Sequence, residues 1–216
     1  MAKDCVVLLH GLARTSTSMK KMEQALQKEG YETANIDYPS RHHTVEELAE
    51  IAVLDGVQQC RAFGEIERIH FVTHSLGGIL LRQYLSKHPI TELGRVVMLG
   101  PPNQGSAAVD RLGRAPGFNW INGPAGKQLG KGEDSVPLKL GPAEFELGII
   151  AANRTIDPIT SSVLEDPDDG RVSVEDTKLE GMTDFVVVKH SHAFMMRMQR
   201  TIELTILFLR TGSFGE

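Results

Sequence analysis

FVTHSLGGIL (residues 71–80) joins an apolar run to a helix-like run through a serine and two glycines. Residues 69–74, IHFVTH, read as a buried strand, and residues 77–87 as the helix that follows it. Two adjacent glycines each cost about 1 kcal/mol relative to alanine inside a helix, so their presence asks for a steric reason. Ser75 lies at the junction. A very tight strand-to-helix turn would hold its hydroxyl out to solvent, strain its backbone and crowd its neighbours. Gly77 removes that clash, and Gly78 lets the helix pack close to the strand. This is the logic of the G-x-S-x-G nucleophile elbow. Thr73 stands where that motif has its first glycine, so the elbow must open slightly or the next strand must make room. For this stretch alone, a serine N-cap on an ordinary helix is the simpler alternative.

The rest of the chain gives the junction its setting. CVVLLHG (5–11), ETANIDY (32–38), RVVMLG (95–100), LGIIAAN (147–153) and DFVVVKH (184–190) read as further strands. Helical patterns fill 16–29, 44–60 and about 193–210. Thr44 and Glu47 form a capping box for the second of these, followed by Val45, Leu48, Ala49, Ala52, Val53 and Val57 at helical spacing. Near-continuous apolar strands separated by helices predict a parallel sheet covered on both faces. Residues 101–146 break the rhythm. They are rich in Gly and Pro and hold the only Trp, Trp120. We expect an insertion over one end of the sheet, with helix near 106–114 and 124–130.

The chain of 216 residues is expected to form a single domain. Charged residues make up 24% and hydrophobic residues 41%, which excludes a disordered composition. The formal net charge is -5 with no long basic block, which argues against nucleic acid as a partner. No apolar run approaches the roughly 18 residues of a membrane span. The chain reaches a strand without a charged leader and apolar stretch, so no secretion signal is expected. Cys5 and Cys60 read as small core residues in a reduced compartment, with a disulfide between them the less favoured alternative. Together these point to a cytoplasmic protein. Neither cysteine has metal-ligand spacing, and neither a metal nor an organic cofactor is implied.

In a parallel sheet, ligands bind beyond the carboxyl ends of the strands. Ser75 stands at one such end. The first strand ends at another, in His10-Gly11-Leu12, where Gly11 permits a sharp turn. The backbone N–H groups of Leu12 and Leu76 can then face one cavity and stabilise a developing oxyanion. His10 reads as a structural residue beneath that turn. A serine needs a base within reach, and the base an orienting partner. His192, just past the last strand, sits on the right rim. His190 falls within the strand, His70 lies at the wrong end, His42 and His43 read as solvated loop residues, and His74 is too close in sequence to swing onto Ser75. Asp157, Asp166, Asp168, Asp169 and Asp176 remain as acids, since Asp184 begins a strand at the wrong end.

VVLLHGLART, FVTHSLGGIL, VVMLGPPNQGSAA, PDDGRV and VVVKHSH, in that order, resemble the α/β-hydrolase superfamily, and within it the small bacterial lipase/esterase-like group. The resemblance covers residues 5–210. It implies a reduced α/β-hydrolase fold of about six mostly parallel strands with helices on both faces, the first two strands of the full family sheet being missing. It places the lid or cap of the family at 101–146. The family's D-G-x-V turn matches Asp169, Gly170 and Val172, which implies Asp169 as the acid, ahead of Asp168 and then Asp157. The implied activity is hydrolysis of a carboxylic ester through an acyl-enzyme, with Ser75, His192 and Asp169 as the triad. The substrate would be a small or lipid-like acyl ester, with Phe118, Trp120 and Ile121 of the insertion against the acyl chain. The alternatives are a thioesterase or acyltransferase on the same triad, or a catalytically silent protein that binds a ligand in this fold.

Overall fold

The computed structural model describes residues 3–112, 118–155 and 168–215, and for 111, 112 and 118–121 the backbone alone. Six strands form one sheet: β1 (Lys3–Leu9), β2 (Glu32–Ile36), β3 (Ile66–His74), β4 (Leu93–Leu99), β5 (Leu147–Ala152) and β6 (Asp184–Val188). Their order is β2-β1-β3-β4-β5-β6, and every pairing is parallel. The first crossover returns β2 to one side of β1, and every later strand is added on the other. Strand periodicity then divides the apolar residues. Val7 and Leu9 of β1 point to one face, where they meet α2 (Val45–Ala62) and α3 (Leu76–Leu85). Val6 and Leu8 point to the other, against α1 (Lys20–Lys28) and α8 (Gln199–Thr211). Both faces are therefore covered, as the apolar character of the strands requires.

The helix starts follow local chemistry. Thr44 Oγ1 accepts from the Glu47 N–H at 3.3 Å, and the Glu47 carboxylate accepts from the Thr44 N–H at 2.9 Å. This is the expected capping box. The expected helix over 16–29 begins as a tight turn, Ser16–Met19, before α1. The expected last helix differs more. Met195–Arg197 make one short turn, Met198 is extended, and α8 starts at Gln199. The adjacent Met195 and Met196 are both fully buried. A helix with one buried face points neighbouring residues about 100° apart, so the chain loops into the core first.

Between β4 and β5 lie α4 (Ala107–Leu112), α5 (Phe118–Lys127) and α6 (Val136–Lys139). The α5 segment breaks at Gly123, with φ of 65°, just before Pro124. Arg82 of α3 ties this connection down. Its buried guanidinium donates to Asn103 Oδ1 at 3.0 Å and to the carbonyls of Leu140 and Gly141 at 2.9 and 3.1 Å. Burial pushes its pKa down to about 10. The short α7 (Val174–Thr177) follows β5 and was not anticipated from sequence.

The cysteines correct one expectation. Cys5 of β1 and Cys60 of α2 form a disulfide, with Cα atoms 5.7 Å apart. Packing α2 across the β1 face brings together two residues separated by 55 positions, which no local pattern reveals. Closing a loop of this length stabilises the fold by about 4 kcal/mol in the chain-entropy account. Cys5→Ala/Cys60→Ala is expected to lower the urea midpoint accordingly. An unchanged midpoint, with two titratable thiols in the denatured wild type, would refute the bond. Among the described residues, no helix is long and apolar enough to cross a membrane.

Candidate active site

Ser75 occupies a sharp turn between β3 and α3, with φ 52° and ψ -117°. Such a backbone costs a non-glycine residue about 1–3 kcal/mol. Hydrogen bonds hold it there: the Ser75 N–H donates to Leu99 O at 2.9 Å, and Ser75 O accepts from the Gly78 N–H at 3.0 Å. Both glycines earn their place sterically. A Cβ on Gly77 would lie 2.7 Å from the Leu9 carbonyl oxygen, a backbone atom that cannot retreat. A Cβ on Gly78 would lie 3.3 Å from Thr73 Oγ1 and 3.1 Å from Met98 Sδ. The room for Thr73 therefore comes from Gly78 of the following helix, and not from the next strand as expected. Gly77→Ala is expected to lose most folded protein, whereas Gly78→Ala costs about 1–3 kcal/mol. Equal thermal stability of the two variants would contradict this packing.

The only other non-glycine residue with positive φ among the described residues is Ala13, at 55°, in the loop after β1. Its N–H donates to the buried Ser40 Oγ at 3.1 Å, which fixes that loop. Beneath it lies His10, fully buried and stacked on Tyr38 with ring centroids 3.9 Å apart. His10 Nδ1 donates to Gly11 O at 2.8 Å, while Nε2 accepts from the Tyr38 N–H at 3.4 Å. Both nitrogens are thus used structurally. Leu12, two residues after His10, lines the cavity in front of Ser75. Leu76 is the first residue of α3, a position whose N–H has no acceptor within the helix.

His192 follows β6 and Asp169 follows β5. His192 Nδ1 lies 2.6 Å from Asp169 Oδ2, and both residues are buried. The other carboxylate oxygen accepts from the N–H groups of Arg171 and Val172 at 2.9 and 2.8 Å. A further bond, His192 N–H to Asp169 O at 3.0 Å, ties the two loops together. Asp168 turns instead to the Gly170 N–H, 2.6 Å from its Oδ1. The remaining imidazole nitrogen of His192 makes no hydrogen bond among the described residues. Ser75 and His192 both line a cavity of about 400 Å³. Its floor is the rim of the sheet. Pro102, Ser106, Ala108, Val109, Asn122 and Leu129, all from the β4–β5 connection, form much of the rest. The side chains of Phe118, Trp120 and Ile121 lie outside the described residues, as do Asp157 and Asp166.

Sequence reasoning set His74 aside, yet the structure gives it a part. Its ring is buried, and Nε2 donates to His192 O at 3.0 Å. The rings of His74 and His192 lie 4.8 Å apart. Burial, followed by the charges of His192 and Arg14, holds its pKa well below 6.5 and keeps it neutral. His74 thus supports the loop that carries His192. Nothing in H-S-L-G-G signals a partner 118 positions away.

His10 and His70 are also buried, and burial is the main cause that lowers each pKa below 6.5. His70 lies between Asp4 and the Arg95 N–H, in the middle of β3 rather than at the strand start expected from sequence. Three imidazoles that stay neutral when folded but take up protons when unfolded link stability to pH. Below about pH 6.5 the unfolded chain binds more protons, so stability falls as pH drops, by up to about 1.4 kcal/mol per unit for each histidine. Above that pH the contribution is complete. The melting temperature should fall steadily from pH 7 to 5; a flat profile would mean that these histidines protonate without unfolding.

A sequence model of the alpha/beta hydrolase family matches residues 6–180. None of the curated protein sequences matches the chain. Among solved structures, mature Bacillus licheniformis lipase BlEst2 is similar, with 20% identity and a TM-score of 0.75 over 96% of this chain and 92% of that one. The phospholipase PlaB from Legionella pneumophila has 20% identity and a TM-score of 0.74, over 99% of this chain and 60% of its own. An extracellular alpha/beta-hydrolase from a Paenibacillus species, at 15% identity, gives 0.59 over 95% and 98%. At these identities the likeness is one of fold.

Proposed function

Since the chain belongs to the alpha/beta hydrolase family, we propose that it is a serine hydrolase that cleaves carboxylic esters through an acyl-enzyme. The observation that carries this reading is the Asp169–His192 pair, at 2.6 Å, beside a cavity that also holds the strained Ser75. Asp169 fixes the ring with a proton on Nδ1, which leaves Nε2 as the base. Nε2 takes the proton of Ser75 Oγ as Oγ bonds to the ester carbonyl carbon. The carbonyl electron pair moves onto oxygen, where the Leu12 and Leu76 N–H groups receive it. The oxyanion collapses, the carbon–alkoxide bond breaks, and His192 returns its proton to the leaving alcohol. Water repeats these steps on the acyl-enzyme and frees the acid and Ser75.

We take residues 101–146 as the cap of a single domain, because this connection supplies the cavity residues from Pro102 to Leu129. Its base is fixed by Arg82. The Cys5–Cys60 disulfide removes the support that reduced cysteines lent to a cytoplasmic location, and favours an oxidising compartment.

Two measurements test the reading. Hydrolysis of p-nitrophenyl esters from acetate to palmitate reports the acyl length that the cavity accepts. A fluorophosphonate probe, with peptide mapping, reports whether Ser75 is activated. Labelling at Ser75 with ester turnover supports the proposal. Turnover without labelling would move the nucleophile elsewhere, and neither signal would leave a ligand-binding protein in a hydrolase fold.

A further inference from the structure

Arg14 and Arg171 line the cavity that holds Ser75 and His192. Arg14 lies on the loop after β1, one residue past the strained Ala13, and is half-buried. Arg171 follows Asp169 and is exposed, with its backbone N–H committed to that carboxylate. Arg197 closes the short turn after His192 and hydrogen-bonds to Ser18 O at 3.5 Å. The side-chain charges acting on Arg14 are those of Arg197 and Arg171, both of its own sign. No carboxylate answers them among the described residues. Asp169, the acid nearest in sequence to Arg171, is engaged by His192.

Several other arginines are paired with carboxylates, and the buried Arg82 is met by Asn103 and backbone carbonyls. Arg61 meets Glu92, Arg95 meets Glu146 and Arg210 meets Glu29. The whole chain carries a net charge of -5. At the cavity of this acidic protein, two arginines, with Arg197 acting on Arg14 from outside the lining, thus have no carboxylate partner among the described residues. The half-buried Arg14 loses solvation and is repelled by its like-charged neighbours, which raises the energy of the empty site. An anion placed beside Arg14 and Arg171 offsets both costs, and a guanidinium offers paired N–H donors suited to phosphate or carboxylate.

We propose that the cavity takes esters that carry an anionic group, a phosphate or a carboxylate, recognised by Arg14 and Arg171, with Arg197 adding to the field. This rests on the reading of Ser75 as the nucleophile. The anion is part of the substrate and keeps its own bonds during turnover; only the ester is cleaved. The arginines act in binding and therefore discriminate among substrates that share one reacting carbonyl.

The test compares 1-butanoylglycerol 3-phosphate with 1-butanoylglycerol, and O-butanoylglycolate with its neutral amide. The wild type should favour the charged member by about tenfold or more in kcat/KM at low ionic strength, and the ratio should shrink towards unity at about 0.5 M salt. Preference in both pairs assigns a general anion site. Preference in the first pair alone assigns a phosphate site. In Arg14→Gln/Arg171→Gln the ratio should collapse; should that variant not fold, the wild-type ratio and its salt response decide. Equal kcat/KM for charged and neutral esters would overturn the proposal, as would a preference that survives loss of both arginines. A preference for charge seen only with micellar lipids would overturn it in favour of a charged surface. If no ester is cleaved and the fluorophosphonate leaves Ser75 unlabelled, the nucleophile assignment itself fails and takes this proposal with it. Labelled Ser75 without charge preference sinks the arginine assignment alone.

Discussion

Replacing Ser75 with alanine is expected to lower kcat by about a million-fold, and His192→Ala should do nearly the same. The two losses are similar because neither group works alone. A serine without its base is a weak nucleophile, and a base without the serine has no proton to take. The double variant should therefore be no slower than either single one. The fold should survive, since Ser75 leaves its strained turn with the same Cβ when it becomes alanine, and the backbone bonds to Leu99 and Gly78 do not involve the hydroxyl. His192→Ala keeps the backbone bonds to Asp169 O and His74. The checks are turnover of p-nitrophenyl butanoate and circular dichroism. Activity within about tenfold of wild type in either variant would remove that residue from the mechanism.

Asp169→Asn is expected to lower kcat by about ten-thousand-fold, with a smaller effect on KM. An amide nitrogen facing His192 Nδ1 cannot accept its proton, so the ring settles in the wrong tautomer with its lone pair turned away from Ser75. An amide turned the other way sets its NH2 against the N–H groups of Arg171 and Val172, which now bond the second carboxylate oxygen at 2.9 and 2.8 Å. Asp168→Asn changes a turn contact to the Gly170 N–H and should cost far less activity. Comparison of the two variants under saturating substrate decides the matter. A larger kcat loss in Asp168→Asn would transfer the orienting role by one residue.

Much of the fold could be read along the chain because the signals were local. Apolar runs marked all six strands, and the Thr44–Glu47 box marked the start of α2. Ser75, Gly77 and Gly78 lie within one turn, so their steric logic was visible as a spacing. His192 could be placed because the end of β6 fixes which rim of the sheet it occupies. Acidic residues after β5 gave no such discrimination, and Asp169 came forward only through a resemblance to a family motif. The start of the last helix was misread because the burial of Met195 and Met196 depends on what lies beneath them.

Local patterns along the chain were enough for the class of fold and for the rim of the sheet on which Ser75 and His192 fall. Strand and helix periodicity, and the need to bury apolar residues on both faces, leave few arrangements open. Which distant residues meet became visible in the packed molecule alone. It joined Cys5 to Cys60 across a crossover and gave the buried His74 a bond to the carbonyl of His192. It set Arg14 and Arg171 beside Ser75 and His192. It also made room for Thr73 through Gly78 rather than through a wider turn. Each of these depends on packing between elements far apart along the chain, and that distance carries no imprint in local composition.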